Sequence, residues 1–168
     1  MRSTLNRRLV TWTSALIFSA LSTSALAQNL NCVDVSGQTP NGGLTFEDDV
    51  RPIFEDSLYN CTNCHGNSGG LSLDEGNASH ANLFCADTQS SFPQPSEKRI
   101  VPGAPMESWF YLRIACELSG DPAFRMPRNG QFFIPSSDLR VIYDWILQGA
   151  PSAEEIFGNR FSTGGSCP

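Results

Sequence analysis

The spacing of two cysteines and a histidine in the first half of the chain is the strongest chemical signal in the sequence. Cys61-Thr62-Asn63-Cys64-His65 fits the pattern C-x-x-C-H. Two thiols at this spacing, on one helical turn or a tight loop, can each add to one of two neighbouring vinyl groups of a haem, and the next imidazole can bind the iron. A chance match is on the order of one in several hundred for a chain of this composition. The motif predicts one covalently bound c-type haem, attached through Cys61 and Cys64, with His65 as an iron ligand.

Three other interpretations of the two cysteines compete with haem attachment: a redox-active pair, half of a zinc site and a structural disulfide. A thioredoxin-like pair would follow a strand at the start of a helix, whereas a helical pattern precedes Cys61. A zinc site needs two more ligands, and the sequence has no second C-x-x-C and no H-x-x-x-H. The sequence therefore favours haem.

A second axial ligand would come from a methionine or from the other histidine. Met126 precedes Pro127 in a loop-like segment, 61 positions after His65, and the proline biases the backbone toward an extended conformation. His80 lies in a polar stretch, where a solvated histidine is the usual outcome, and an open or water-bound iron is the third alternative. Met106 reads as a packing residue at the start of a helix. Met126 is the favoured ligand.

The N-terminal segment has the features of an export signal. Three arginines in the first eight residues precede a mostly apolar stretch from Leu9 to Leu21, and Ala25-Leu26-Ala27 offers small residues for cleavage. The hydroxyl residues that interrupt the stretch argue against a retained membrane anchor. We expect a signal peptide over residues 1–27, cleavage near Gln28 and a periplasmic or otherwise exported protein, with membrane attachment only if the signal is retained.

The charge of the exported part indicates which partners it can bind. Loss of residues 1–27 removes three of the 11 basic residues and none of the 17 acidic ones, which leaves a formal charge of −9. Such a surface repels nucleic acid and anionic lipid, and it suits redox partner proteins with basic or mixed-charge docking surfaces.

Hydrophobic spacing predicts three helices. The first is capped by Thr45, with Asp48 in a capping-box position, and ends before the cysteine motif, although Pro52 fits only in its first turns. The second runs from about Glu107 to Leu118. The third is capped by Ser136 or Ser137, carries an apolar stripe at helical spacing and stops at Gly149 and Pro151. Residues 28–44 and 69–99 read mainly as irregular chain.

The chain resembles the planctomycete-type cytochrome c domain, a variant of the monohaem class I fold. The matching stretches are Asp49–Ile53, Cys61–Gly66, Gly69–Asp74, Ile100–Gly103, Ser108–Ile114, Met126–Pro127, Asp138–Ile146 and Gly149–Ala150. The resemblance implies an all-α cytochrome c fold of about three to five helices with long loops around one haem, with His65/Met126 ligation and electron transfer. Arg128 departs from the family, which often has a second proline there.

The resemblance also implies the division of the chain. A lead segment (28–44) would precede the cytochrome c domain (45–150), and a tail (151–168) would follow it. Four cysteines lie outside the haem motif, and three pairings are open to them. We expect Cys85 to pair with Cys116, and Cys32 to pair with Cys167.

Electron transfer without an acid–base catalytic residue is the expected function, because both axial positions of the iron would be filled. A haem enzyme with an open distal site, such as a peroxidase or small-oxide reductase, is one alternative. A non-redox module with all cysteines in disulfides is another. The chain could also be an electron-transfer subunit of a larger complex.

Overall fold

A computed structural model of the chain describes residues 31–89, 97–117, 125–128, 132–154 and 167. The predicted signal peptide lies outside the described residues. The regular elements are β1 (Asn31–Cys32), α1 (Arg51–Glu55), α2 (Cys61–Cys64), α3 (Trp109–Ala115), β2 (Cys116–Glu117) and α4 (Ser136–Leu147). A π-helical turn (Phe46–Val50) precedes α1, and three 3₁₀ turns occupy Ser68–Gly70, Gly76–His80 and Pro105–Glu107.

The first helical segment begins where the sequence predicts. The Thr45 side chain accepts a hydrogen bond from the Asp48 backbone N–H at 3.2 Å, and the Thr45 N–H donates to Asp49 Oδ2 at 2.8 Å. These two bonds form a capping box as predicted, but the carboxylate that accepts from the Thr45 backbone N–H belongs to Asp49 and not to Asp48. Pro52 lies in the first turn of α1, where a missing N–H costs little. As predicted, the segment ends at Glu55, before the cysteine motif.

The third predicted helix is confirmed as α4. In its apolar stripe Leu139, Ile142 and Ile146 are inaccessible to solvent and Tyr143 is partly buried, and Trp145 beside the stripe is fully buried. Gly149 has φ +101°, a left-handed conformation that glycine adopts without steric cost, and it follows the end of the helix. The predicted serine cap is wrong: Pro135 occupies the cap position, and no side chain caps the helix there.

The second predicted helix is shorter than expected, and a small strand that the sequence did not predict follows it. Helix α3 begins at Trp109, after the 3₁₀ turn, and it ends at Ala115 because the chain becomes extended at Cys116. Strand β2 then pairs antiparallel with β1, with Cys32 opposite Cys116. The protein is therefore mainly helical with a small two-stranded sheet.

The core is rich in aromatic side chains that come from distant parts of the chain. Phe46 lies 6.1 Å from Phe54 and 5.9 Å from Trp145, measured between ring centroids, and Phe54 meets Phe110 edge-on at 5.3 Å. Full burial of such side chains contributes about 1.5–3 kcal/mol each. This cluster joins α1 to α3 and α4, and Cys61 of the short helix α2 packs against the same core.

Two disulfides are present, with a pairing different from the predicted one. Cys32 bonds to Cys116 and Cys85 bonds to Cys167, so each bond closes a loop of more than 80 residues. The predicted pairing is wrong because strand pairing places Cys32 beside Cys116, a register that no local pattern encodes. Disulfides indicate an oxidising compartment. In the part of the chain that is described, no helix is long and apolar enough to cross a membrane.

Candidate functional site

The C-x-x-C-H segment forms one short helical turn at the edge of the core. Asn60 enters the turn with φ +55°, a left-handed conformation that asparagine tolerates better than most residues. The N–H of His65 donates to the Cys61 carbonyl at 2.8 Å and closes the turn. Cys61 and Cys64 are both free thiols. The predicted spacing therefore brings two thiols and an imidazole together on one turn.

The two thiols have different environments. Cys64 is exposed, whereas Cys61 is partly buried and packs against the hydrophobic core. Burial, with smaller contributions from the neighbouring Cys64 and Asp56, raises the pKa of Cys61 to about 11, because a thiolate there would lose hydration and face negative charge. At neutral pH Cys61 is therefore a protonated thiol, and the exposed Cys64 is the accessible member of the pair.

The imidazole of His65 is oriented by the loop that follows it. Nδ1 of His65 lies 2.9 Å from the Ser68 carbonyl oxygen, which can only accept a hydrogen bond, so Nδ1 carries the proton of the neutral ring. The lone pair is thereby left on Nε2, which can accept a proton or bind an electrophile. The backbone of His65 is also held in place, because the Leu73 N–H donates to the His65 carbonyl at 2.6 Å.

Acidic and hydroxyl side chains surround the turn. The Ser72 hydroxyl donates to the Gly66 carbonyl at 2.8 Å, and it also contacts Asp74 Oδ1 at 3.1 Å. A Cβ on Gly66 would lie 3.2 Å from the Asp74 carboxylate, so the glycine permits this close approach. With Asp56 near Cys61, the site has a negative rim.

Met126 and His65 are held by different parts of the structure. It is partly buried against the core, and its N–H donates to the Arg113 carbonyl at 2.7 Å, close to the end of α3. The peptide bond between Met126 and Pro127 is cis. The structure thus attaches Met126 to α3, whereas Ser68 and Leu73 hold His65.

His80 and Met106 differ from the sequence expectations. His80 is not a solvated histidine: its Nε2 donates to the Ala150 carbonyl at 2.8 Å, and its ring stacks on Phe84 at a centroid distance of 5.3 Å. Phe46 and Trp145 complete an aromatic surround at 5.4 and 6.0 Å. Met106 does not pack at the start of a helix, since 47% of it is exposed.

The prediction of a covalent haem with iron is wrong. Among the described residues, no group of three or more His, Cys, Asp or Glu side chains could hold a metal ion. Four cysteines are joined in disulfides, while Cys61 and Cys64 carry free thiols. The motif specifies the local spacing of two thiols and an imidazole, but a metal centre needs donors from several segments to converge. We therefore assign no haem or iron to this site, and His65 and Met126 are not assigned as ligands.

Comparison with known proteins adds no relative. No protein-family model matches the chain, and neither the curated proteins nor the solved structures include a match. The interpretation of the site therefore rests on its own geometry.

Proposed function

We propose that the protein is an exported electron-transfer protein whose redox centre is the dithiol of Cys61 and Cys64, assisted by His65. The observation that supports this proposal is the contrast among the six cysteines. Four are joined in two disulfides, and the remaining two are free thiols on one helical turn, next to an imidazole whose Nε2 carries the lone pair. A dithiol can give up two electrons and two protons when it closes to a disulfide.

The exposure of the two thiols assigns a different step of the reaction to each. The thiolate of exposed Cys64 attacks one sulfur of a partner's disulfide, which forms a mixed disulfide and releases one partner thiolate. Cys61 then loses its proton and attacks the Cys64 sulfur, which releases the second partner thiolate. The products are a Cys61–Cys64 disulfide and a reduced partner, with both protons going to the partner's thiolates. A dithiol donor restores the starting state.

His65 has a proton-handling role in this scheme. The raised pKa of Cys61 makes its deprotonation the difficult step at neutral pH, so a nearby acceptor lowers the barrier. The hydrogen bond from Nδ1 to Ser68 leaves Nε2 as the acceptor on the neutral ring. A glutamine at position 65 would keep a polar side chain but lose this acceptor, so His65→Gln should slow the resolving attack by Cys61.

The proposed partner is a protein with basic or mixed-charge residues around its own redox group. The carboxylates of Asp56 and Asp74 flank the turn, and the chain without residues 1–27 has a formal charge of −9. Opposite charges speed encounter between such surfaces, and nucleic acid would be repelled. The resemblance to the planctomycete-type cytochrome c domain stays a prediction that rests on the sequence stretches alone, as does a role as a subunit of a larger complex.

Two measurements test the proposal on protein purified from the exported fraction. Intact mass spectrometry after treatment with N-ethylmaleimide should show two adducts, both on the peptide that contains Cys61 and Cys64. A separate, untreated sample equilibrated with dithiothreitol buffers should show one two-electron transition on that same peptide, which Cys61→Ser and Cys64→Ser abolish and the matched control Thr62→Ser retains.

Two outcomes would refute the proposal. One is a pair of thiols that never oxidises across the whole buffer range. The other is a fixed extra mass on the same peptide before any treatment, since that would show that both sulfurs are already bonded to another group.

A further inference from the structure

Arg99 is a buried cation whose hydrogen bonds go to backbone carbonyls. Only 8% of the residue is exposed. Its Nη1 donates to the Asn82 carbonyl at 2.7 Å, and its Nη2 donates to the Gly70 carbonyl at 2.6 Å. A guanidinium suits this task because its planar fork offers several donors in fixed directions, whereas a lysine ammonium is a point charge. Arg99 thus joins two parts of the segment that follows the C-x-x-C-H turn.

The backbone of Arg99 is itself firmly placed. Its N–H donates to the Ala86 carbonyl at 2.8 Å, and its carbonyl accepts from the Phe110 N–H in α3 at 2.9 Å. The guanidinium therefore extends from a point tied to the helical core. A group anchored in this way can impose a position on the loop that it binds.

The loop that Arg99 binds is the one that orients His65. Gly70 ends the 3₁₀ turn Ser68–Gly70, and its φ of +66° is a left-handed conformation suited to glycine. The Gly70 N–H donates to the Asn67 carbonyl at 3.1 Å, which keeps the turn closed. The first residue of the same turn supplies the carbonyl that accepts from His65 Nδ1 at 2.9 Å.

We infer that Arg99 is a positioning residue for His65: by holding the Gly70 carbonyl it fixes the Ser68–Gly70 turn, and that turn holds the His65 ring with Nε2 unprotonated. This inference rests on the proposed function for its purpose, since Nε2 is the proposed proton acceptor. The orientation itself is a property of the fold, and it can be measured without any redox assay.

The test uses the whole chain with ¹⁵N-labelled histidine and reads the tautomer of His65 from its ring nitrogen shifts at a fixed pH where the ring is neutral. The wild type should be mainly the Nδ1–H form. Arg99→Lys should move the tautomer ratio toward Nε2–H by about fivefold, the effect of losing one ordinary hydrogen bond. Arg125→Lys is the matched control, because Arg125 also donates to a backbone carbonyl, that of Ile114 at 2.9 Å, but outside this loop. The control should leave the ratio unchanged.

A folded Arg99→Lys variant with the wild-type tautomer ratio would overturn the inference. If that variant does not fold, the wild type supplies the second measurement, which is scalar coupling across the hydrogen bond between Arg99 Nη2 and the Gly70 carbonyl carbon. Detection of the coupling supports the inference, and a freely rotating guanidinium without coupling overturns it. A redox-inert protein that still shows the tautomer shift would refute the proposed function and leave the role of Arg99 standing.

Discussion

The different burial of the two thiols leads to a quantitative prediction about their reactivity. The pKa of Cys61 is raised from an ordinary 9.0 to about 11. At pH 8 the thiolate fraction of Cys61 is then about one in a thousand, against roughly one in ten for an ordinary thiol, and alkylation follows the thiolate. In the Cys64→Ser variant, which cannot close the pair, burial alone should make Cys61 react with iodoacetamide at least roughly tenfold more slowly in the folded protein than in urea, and the full factor of about 100 is not reached because the Cys64 charge is absent.

The assay is timed alkylation followed by peptide mass spectrometry, and the unfolded chain serves as the internal control. The Cys61→Ser variant provides the comparison, because exposed Cys64 should change its rate little on unfolding. Raising the pH from 8 to 10 should increase the folded Cys61 rate about 100-fold, since the pKa lies above that range. A folded rate within threefold of the unfolded rate would refute the burial argument. Thiols that remain unreactive even in urea would refute their assignment as free.

Three further predictions concern stability and titration. Asp144→Ala should lower the free energy of unfolding by about 3 kcal/mol, because it removes the buried carboxylate that lies 2.8 Å from Arg140 Nε and leaves that charge without its carboxylate partner. Urea denaturation measures this loss, and a loss under about 1 kcal/mol would contradict the prediction. Replacing Cys32 and Cys116 together by alanine should cost about 4 kcal/mol by the same assay, since it opens a loop closed over 84 positions, and an unchanged midpoint would be inconsistent with the bond. Burial and a hydrogen bond to the Asp138 carboxylate raise the pKa of Tyr59 to about 12, so the phenolate absorbance of Tyr59 should appear only above pH 11. The contribution of Tyr59 to the stability of the fold should persist below pH 10 and disappear toward pH 12. Titration of Tyr59 near pH 10 in the folded protein would argue against its burial.

Local sequence patterns predicted the positions of the helices better than their boundaries and caps. The stripe of α4 and the start of the first helical segment at Thr45 were predicted correctly, because helical periodicity and capping depend on residues within four positions of each other. The serine cap of α4 and the length of α3 were wrong. In both places the neighbouring chain decided the boundary, through Pro135 before α4 and the extended conformation at Cys116 after α3.

The site shows the same division between local and distant information. The sequence predicted two thiols and an imidazole close together, and the turn at Cys61 confirms that juxtaposition. It gave no signal for the aromatic surround of His80, because Phe46, Phe84 and Trp145 reach the ring from segments far apart in the chain. Arg99 was also missed, since an isolated arginine in a loop carries no pattern that reveals its burial.

By itself, the sequence determined the short-range features of this protein: the spacing of Cys61, Cys64 and His65, the acidic charge and the helical periodicity. Only the tertiary structure decided the disulfide partners, the small sheet and the tautomer of His65. The physical reason is the separation along the chain of the residues that interact. Helix formation and thiol spacing depend on neighbours along the chain, whereas the strand register that pairs Cys32 with Cys116, and the burial that raises the pKa of Cys61, depend on which distant segments pack together.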